Sequence, residues 1–407
     1  MKKNITVSPG LLSGSVTAPP SKSAAHRAIL CAAMCDGVSE ISNVAYSQDI
    51  LATIAAVKIL GAEVTQNGSV LIIKGIGIRR NLCGENIFCN ESGSTLRFII
   101  PIALAFGGSF SVSGAGRLMK RPLEDYYRIF DEKNIKYKIE AQQIEFEGNL
   151  TGGDYYLSGN VSSQYITGLL FALPLLGVES RIHITTPVES VGYLDMTIAM
   201  MKRFGVEIYT QSDYREFVIA GNQQYKSQNI AIEGDYSQAA FYLVANEMGS
   251  CVDIEGLDEK TSQGDKAILQ IVRQMRERSE KRCIDVSQTP DLVPILSVLA
   301  AKAYGITEFV GAGRLRLKES DRLSAVAEEL TKLGAEIEEK EDSLIIHGNC
   351  SFTGGKTDSH NDHRIAMSLA IAATTASGSV EISGADSVQK SYADFWEKFQ
   401  MLGGLID

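Results

Sequence analysis

The fold is decided by the stretch VKILGAEVTQNGSVLIIKG, residues 57–75. Its opening residues continue an amphipathic helix that reaches Gly61. Glycine ends helices well because it adopts the left-handed conformation without steric cost. The remaining residues form two apolar or alternating runs around a polar turn, which is the pattern of a β-hairpin. The stretch therefore predicts a helix, a glycine joint and two antiparallel strands.

This arrangement recurs along the chain. Similar stretches occupy residues 130–148, 201–221 and 330–348, and the chain closes on a shorter one, QMLGGLID. The joint positions are Gly61, Asn134, Gly205, Gly334 and Gly403. They lie about 70 residues apart, except for one gap of about twice that length. A degenerate copy is therefore expected near residue 270, within the helical sequence QGDKAILQIVRQMRER, and the chain should contain six units.

A second repeat divides the six units into two groups of three. The pentapeptide GAGRL stands at residues 114–118 and again at 311–315, each time after a β-rich run and before a basic loop and a helix. A chain of 407 residues is also too long for one hydrophobic core. The predicted fold class is α/β (α+β), with two similar domains. Because the midpoint has no Pro/Ser-rich linker, the connection between them should be tight.

Composition narrows the class of protein. The net charge is −10 and the hydrophobic fraction 44%, which is typical of a globular protein. No long basic run is present, so nucleic acid is not an expected partner. The seven scattered cysteines suggest reduced thiols, and the N-terminus has no apolar segment typical of a signal peptide. We expect a cytoplasmic protein that binds no membrane.

Helix starts that carry hydroxyl groups and cations recur in the first half. They lie in the segments PPSKSAAHRAIL, NESGSTLR, GRLMKRP and VSSQ. One such segment is more often an ordinary capped helix than a site. Four of them together indicate a composite anion site, because a helix N-terminus and nearby cations both attract negative charge. The residues are Lys22, Ser23, Arg27, Gly93, Ser94, Thr95, Arg97, Arg121, Ser162, Ser163 and Gln164.

The second half adds acids among cations. The segments are TPDLVPIL, RLKESDRL, NDHRIAMS and VQKSYADFW, and each acid in them could be a plain helix cap. Beside the cations, a carboxylate could instead transfer protons. The candidates are Asp291, Lys318, Glu319, Arg322, Asp362, His363, Arg364 and Lys390.

Several cofactor motifs are incomplete. TGGKTD lacks the first glycine of a phosphate-binding loop, and neither GAGRL copy has the third glycine of a dinucleotide fingerprint. His360 and His363 are weak evidence for a metal, because no HEXXH motif accompanies them. The sequence predicts neither a metal nor another cofactor.

Taken in order, these segments resemble the 5-enolpyruvylshikimate-3-phosphate synthase family from end to end. PPSKSAAHRA, NESGSTLR, RLMKRP, VSSQYITGLL, VESVGYLDMT, RLKESDRL and NDHRIAMS carry the resemblance. It implies two domains, each of three βαβαββ repeats in an inside-out α/β barrel. It also implies that residues 1–19 join 234–407 in domain 1, that residues 20–233 form domain 2, and that a hinge crosses near residues 19 and 233.

The resemblance implies transfer of the enolpyruvyl group from phosphoenolpyruvate to the 5-hydroxyl of shikimate-3-phosphate, with phosphate released. Asp291, Glu319 and Lys22 would be catalytic, although the individual proton transfers among them and His363 stay open. Shikimate-3-phosphate would be held on the domain 2 side, by Lys22, Ser23, Arg27, Ser162, Ser163, Gln164, Ser190, Tyr193, Asp291 and Lys318. Phosphoenolpyruvate would be held by residues of both domains, the cations of domain 1 among them. These residues are Lys22, Gly93, Arg97, Arg121, Gln164, Arg322, Arg364 and Lys390.

The sequence departs from the commonest family pattern near Gly93. Thr95 stands where alanine is frequent and Phe98 where proline is frequent, while Gly93 itself is kept. The resemblance implies that glyphosate occupies the phosphoenolpyruvate pocket.

Two alternative functions stay open. UDP-N-acetylglucosamine enolpyruvyl transferases share the fold and donor, but usually carry a cysteine before the position of Arg121, where SVSGAGRLMKRP has none. A noncatalytic anion-binding scaffold could keep its acids as caps. A monomer is expected.

Overall fold

The computed structural model describes residues 3–77 and 81–407. The helices are α1 Lys22–Ala33, α2 Gln48–Leu60, α3 Gly93–Phe106, α4 Glu124–Glu132, α5 Ser163–Ala172, α6 Val191–Arg203, α7 Tyr236–Glu247, α8 Ile268–Arg276, α9 Val293–Lys302, α10 Arg322–Lys332, α11 His363–Ala373 and α12 Phe395–Met401. The strands are β1 Ile5–Ser8, β2 Ser13–Thr17, β3 Val38–Ser42, β4 Glu63–Asn67, β5 Val70–Lys74, β6 Leu82–Phe88, β7 Gly108–Ser113, β8 Lys136–Ile139, β9 Gln143–Glu147, β10 Gly153–Leu157, β11 Ser180–Ile184, β12 Ile208–Thr210, β13 Glu216–Ile219, β14 Asn229–Ala231, β15 Cys251–Glu255, β16 Lys281–Asp285, β17 Ile306–Val310, β18 Glu336–Glu339, β19 Ser343–His347, β20 Gly355–Asp358, β21 Val380–Ser383 and β22 Leu405–Ile406.

The chain divides into two compact units. The middle unit is Pro20–Glu233, and the N/C unit is the described part of Met1–Pro19 together with Gly234–Asp407. Each unit has its own hydrophobic core. Residues 1–2 and 78–80, which the predicted domain ranges include, lie outside the described residues. The hinge and the functional division of the units stay predictions.

In the middle unit, three sheets repeat one topology. Their strand orders are β14-β3-β5-β4, β6-β7-β9-β8 and β10-β11-β13-β12. In each sheet the first two strands of the order are parallel. The last two strands form a hairpin, which pairs antiparallel with the second strand. Two of the repeats read βαβαββ along the chain, whereas the first takes its parallel edge strand, β14, from the end of the unit. The joints Gly61, Asn134 and Gly205 all have positive φ, so this part of the sequence prediction is confirmed.

The N/C unit repeats the same topology with one loss. The sheets β16-β17-β19-β18 and β20-β21-β1-β22 are complete, the second because β1 from the start of the chain pairs with β22. Among the described residues, the third sheet has only β2 and β15. The degenerate copy near residue 270 keeps its helix, α8, but the described chain passes from α8 to β16 without a hairpin. The expectation of a hairpin in every unit is therefore wrong at this copy.

Alternate helices differ in burial because they differ in sequence. The helices α1, α3 and α5 are buried along nearly their whole length in the middle unit, as α7, α9 and α11 are in the N/C unit. Beyond the polar residues near their starts, these segments are largely apolar or small on every face, which is typical of a helix enclosed by other elements. The helices α4, α8 and α10 are amphipathic and expose one face. In the described part of the chain, no helix is both long and apolar enough to cross a membrane.

A proline and a glycine bring α3 against α5. Pro101 lies inside α3 and has no N–H, so the carbonyl of Arg97 loses its helical partner. The Tyr126 hydroxyl lies 2.7 Å from that carbonyl and replaces the missing donor. On α5, a β-carbon at Gly168 would collide with the Arg97 carbonyl and with the Tyr126 hydroxyl. The absence of a side chain at Gly168 therefore permits the close approach that positions Arg97.

Candidate active site

In the middle unit, the first turn of α1 presents the predicted cation Lys22. Ser21 caps the helix by accepting from the Ala24 N–H. The Lys22 Nζ donates to Asp49 Oδ2 at 2.8 Å, and both side chains are largely buried. Asp49 lies in the first turn of α2, whose cap is Ser47. The ammonium group is thus held by one carboxylate in a fixed place.

Arg27 lies one turn further along α1 and is buried. Its guanidinium donates to Thr197 Oγ1 at 2.8 Å, to the Ser23 carbonyl at 2.8 Å and to the Tyr193 carbonyl at 3.0 Å. Burial lowers its pKa to about 10. Arg27 therefore connects Ser23 to Tyr193, two residues that were predicted to bind the same ligand.

The remaining hydroxyl residues predicted for this ligand stand at helix starts. Ser162 caps α5 by accepting from the Gln164 N–H at 3.3 Å, and Ser163 is the first residue of that helix. Ser190 precedes α6 in a left-handed conformation, with φ of 58°. Tyr193 follows in the first turn of the same helix.

A second set of contacts joins α3 to α5. Arg97 donates from Nη1 to Gln164 Oε1 at 2.9 Å and from Nη2 to the Pro122 carbonyl at 3.0 Å. The Gln164 amide donates to Ser94 Oγ at 3.0 Å. Arg121 reaches the start of α3, because its Nη1 lies only 2.6 Å from where a Gly93 β-carbon would be. Two guanidinium groups therefore converge on a helix N-terminus that has no side chain at its first residue, which is an arrangement suited to an anion.

In the N/C unit, Arg322 is surrounded by three carboxylates. Its Nε donates to Asp362 Oδ2 at 2.7 Å, its Nη1 to Asp291 Oδ1 at 2.8 Å and its Nη2 to Glu319 Oε2 at 2.6 Å. The Arg322 side chain is 2% exposed. Burial would lower its pKa, but the charges of Asp362, Glu319 and Asp291 outweigh that effect and raise it.

Two further cations contact Asp291. Lys318 Nζ lies 3.3 Å from Asp291 Oδ1, and Arg364 Nη2 lies 3.4 Å from Asp291 Oδ2. Arg364 also donates from Nη1 to the Asp291 carbonyl at 3.0 Å. Burial lowers the pKa of Lys318, while Asp291 acts in the opposite direction. The unit thus brings Asp291, Lys318 and Arg364 together around Arg322.

The last predicted cation, Lys390, is buried at the end of the short 3-10 helix Ala385–Lys390. Its Nζ donates to the carbonyl of Asn361 at 2.7 Å. Asn361 has a positive φ and lies directly before Asp362, the cap of α11. Lys390 is therefore fixed to the same turn that supplies Asp362 and Arg364.

Comparison with known proteins identifies the family. The pattern of the EPSP synthase family, 3-phosphoshikimate 1-carboxyvinyltransferase, matches residues 7–399. The chain belongs to the EPSP synthase family. A 3-phosphoshikimate 1-carboxyvinyltransferase of Clostridium perfringens is 48% identical over 99% of both chains, and that of Clostridioides difficile is 47% identical over 99% of this chain and 98% of the other. An EPSP synthase structure from Acinetobacter baumannii is 25% identical, with a TM-score of 0.81 over 100% of this chain and 99% of that one.

Family membership confirms the predicted fold class and the assignment to the transferases. The EPSP synthase relatives also match both ends of the chain, so the resemblance seen in the separate segments is not local.

Three acids lie near these clusters: Asp49 and Asp265 were not among the predicted candidates, and Asp362 was a candidate whose cationic partner was not predicted. Asp49 holds Lys22, and Asp362 holds Arg322. Asp265, in the 3-10 helix Gly264–Ala267, is buried, and burial together with the charge of Asp291 raises its pKa to about 6. The sequences around Asp49 and Asp362 show an acid at a helix start, which is ordinary for a cap. Only the fold reveals the cations that these acids meet.

A group of potential metal ligands lies outside these clusters. Glu328, Glu329 and His360 come close enough to share an ion. Lys332 Nζ already lies 2.8 Å from both Glu328 and Glu329, and His360 Nε2 lies 2.6 Å from Glu329. The acids are thus already paired with a lysine and a histidine of the chain itself.

Proposed function

We propose that this chain transfers the carboxyvinyl group of phosphoenolpyruvate to the 5-hydroxyl of shikimate-3-phosphate and releases phosphate. The observation that carries the proposal is the convergence of Asp291 and Glu319 on one buried guanidinium, Arg322, beside Lys318 and Arg364. Two acids held in fixed orientation among cations suit a reaction that moves protons on an anionic substrate.

The proposed reaction is an addition followed by an elimination. In the addition, the 5-oxygen of the acceptor bonds to C2 of phosphoenolpyruvate, Asp291 takes the hydroxyl proton, and Glu319 delivers a proton to the methylene carbon. In the elimination, the bond from C2 to the phosphate oxygen breaks, Glu319 takes back a proton from the methyl carbon as the double bond reforms, and Asp291 returns its proton to the leaving phosphate. The surrounding cations would stabilise the carboxylate and phosphate charges through both steps.

The proposed binding roles follow those that the family resemblance implies. We assign shikimate-3-phosphate to Ser23, Arg27, Ser162, Ser163, Gln164, Ser190, Tyr193 and Lys318. We assign phosphoenolpyruvate to Arg97, Arg121, Arg364 and Lys390, with the open N-terminus at Gly93 and with Lys22 contacting both substrates.

Arg322 was also expected to bind phosphoenolpyruvate. In this structure it donates to Asp362, Asp291 and Glu319. For Nη1 or Nη2 to donate along these directions to a substrate carboxylate, that carboxylate would have to displace Asp291 or Glu319. We therefore propose that Arg322 chiefly holds the two acids in place.

Phosphate release tests the proposal against its alternatives. The chain is incubated with phosphoenolpyruvate and either shikimate-3-phosphate or UDP-N-acetylglucosamine. Release only with the first acceptor supports the proposal, release only with the second indicates the related transferase, and release with neither indicates an anion-binding scaffold. Glu319→Gln keeps the shape of the side chain and is the matched control, since it should bind both substrates and turn over slowly.

We also propose that the protein acts as a monomer in the cytoplasm. Support comes from the acidic composition and from the assignment of every proposed ligand contact to one chain. Light scattering of the purified protein measures the molecular mass, and a dimer would contradict this part of the proposal.

A further inference from the structure

A buried chain of hydrogen bonds joins three helices of the middle unit. Thr53 of α2 lies at its centre, with Oγ1 2.7 Å from His26 Nδ1 on α1 and 2.7 Å from Thr95 Oγ1 on α3. Thr95 Oγ1 donates in turn to Ser92 Oγ at 2.8 Å, and Ser92 is the cap of α3. All four side chains are buried. We call these residues the hydroxyl chain.

The hydroxyl chain has one direction. Since Thr95 donates to Ser92, Thr53 donates to Thr95, and His26 donates from Nδ1 to Thr53. A neutral imidazole can donate in this way from Nδ1, and the buried Nε2 of His26 has no hydrogen-bond partner among the described residues. Burial and the charges of Lys22 and Arg27 lower the pKa of His26 well below its ordinary value, which agrees with the neutral form.

The hydroxyl chain also touches the residue that holds Lys22. The backbone carbonyl of Asp49 lies 3.5 Å from the hydroxyl oxygens of both Thr53 and Thr95. The Asp49 carboxylate binds Lys22 at 2.8 Å. Thr95 itself stands two residues after Gly93 and two before Arg97. Asp49 and Thr53 are also one turn apart on α2, so the bond between Thr53 and Thr95 joins the helix that supports Lys22 to the first turn of α3.

We propose that Thr95 is a positioning residue for phosphoenolpyruvate. Through Thr53 and His26 it holds the first turn of α3 in place relative to Lys22, and thereby sets the affinity for this substrate. The inference rests on the proposed function, since it takes phosphoenolpyruvate as the ligand of both Lys22 and the first turn of α3. The hydroxyl is the part of Thr95 that matters. Alanine, which is frequent in the family at this position, has no hydroxyl group and could not form these hydrogen bonds. The proposed role is therefore restricted to chains with threonine or serine at this position.

The test compares Thr95→Val, which keeps the shape and removes the hydroxyl, with Thr95→Ser, which keeps the hydroxyl. We expect Thr95→Val to raise the KM for phosphoenolpyruvate about tenfold, the effect of one lost buried hydrogen bond, with little change in the KM for shikimate-3-phosphate. Thr95→Ser should stay close to the parent protein. Thr357→Val is the matched control, because the Thr357 hydroxyl is also buried and donates to the Glu381 carbonyl at 2.9 Å in the N/C unit.

Hydrogen exchange provides a readout that does not need turnover. Backbone amides of residues 94–98 should exchange faster in Thr95→Val than in the parent or in Thr357→Val. Unchanged exchange and an unchanged KM in Thr95→Val would overturn the inference, as would an equal rise in the KM for both substrates. A parent protein that releases no phosphate would instead overturn the proposed function, so the two failures are distinguishable.

Discussion

At the scale of one residue, Gly93 leaves room for two cations. A β-carbon there would lie 2.6 Å from Arg121 Nη1 and 3.0 Å from Arg97 Nη1, so both guanidinium groups would have to move. We expect Gly93→Ala to raise the KM for phosphoenolpyruvate about tenfold or more and to weaken inhibition by glyphosate, while the KM for shikimate-3-phosphate changes little. Steady-state kinetics measure all three. Gly177→Ala, where a β-carbon meets only an ordinary contact at 3.6 Å, is the control, and equal inhibition of both variants would contradict the prediction.

Asp265 makes stability depend on pH in a direction that can be worked out. Its pKa rises from an ordinary 3.8 to about 6 on folding, chiefly through burial and then through the charge of Asp291. The folded protein therefore binds this proton more tightly than the unfolded chain, and the resulting stability is present below about pH 4 and lost as the pH rises through about 6. An amide in place of this carboxyl group would not titrate, so the substitution Asp265→Asn removes the pH dependence.

We therefore expect the free energy of unfolding of Asp265→Asn, relative to the parent, to increase by about 1–3 kcal/mol between pH 5 and pH 8. Denaturant titrations at both pH values measure it. The comparison cancels any constant effect of the amide on packing. Asp213→Asn, at an exposed turn, is the control for the chemistry of the substitution itself. A difference that stays constant or falls with pH would contradict the assignment.

Sequence reasoning could name candidate site residues but not their partners. Lys318, Glu319 and Arg322 are close in sequence, so their grouping was visible in one segment. Asp291 and Asp362 reach Arg322 from 31 and 40 residues away. Only the packing of α9, α10 and α11 brings them together. For that reason Arg322 was predicted as a substrate ligand, and its hydrogen bonds to three carboxylates were not foreseen.

At the scale of elements, the contact between α3 and α5 depends on Gly168. A methyl group there would meet the Arg97 carbonyl, the Tyr126 hydroxyl and Pro101. Since the first of these is backbone, the two helices would have to separate. We expect Gly168→Ala to lower the free energy of unfolding by about 3 kcal/mol and to reduce turnover by displacing Arg97. Thermal and denaturant unfolding measure the change, and Gly177→Ala again serves as control. Parental stability in Gly168→Ala would show that the helices are less closely packed.

The repeated elements were predictable where the pattern is local. A helix, a positive-φ joint and a hairpin lie within about 20 consecutive residues, so residues 57–75 reveal them. The parallel edge strands β14 and β1 were not visible in this way, because each completes a sheet whose other strands lie far away in sequence. The missing hairpin after α8 was also overlooked. The spacing of the joints indicated a copy there, but spacing alone carries no information about whether its strands are present.

At the scale of the molecule, the two units differ in how the chain builds them. The middle unit is one continuous segment with its own core, whereas the N/C unit needs the start of the chain, since β1 and β2 complete two of its sheets. A compact continuous segment with its own core is able to fold alone. The candidate acids Asp291 and Glu319 both lie in the N/C unit.

We therefore expect the isolated segment 20–233 to fold by itself and to have no activity. Circular dichroism should show a cooperative thermal transition, and phosphate release from phosphoenolpyruvate should be absent because both acids are missing. The matched control is a segment that ends at residue 213, which lacks β13 and β14 and so leaves two sheets incomplete. It should unfold without a cooperative transition. If segment 20–233 behaved like this shorter one, the middle unit would depend on the N/C unit for its stability, and its three sheets and enclosed helices would not be a self-sufficient core.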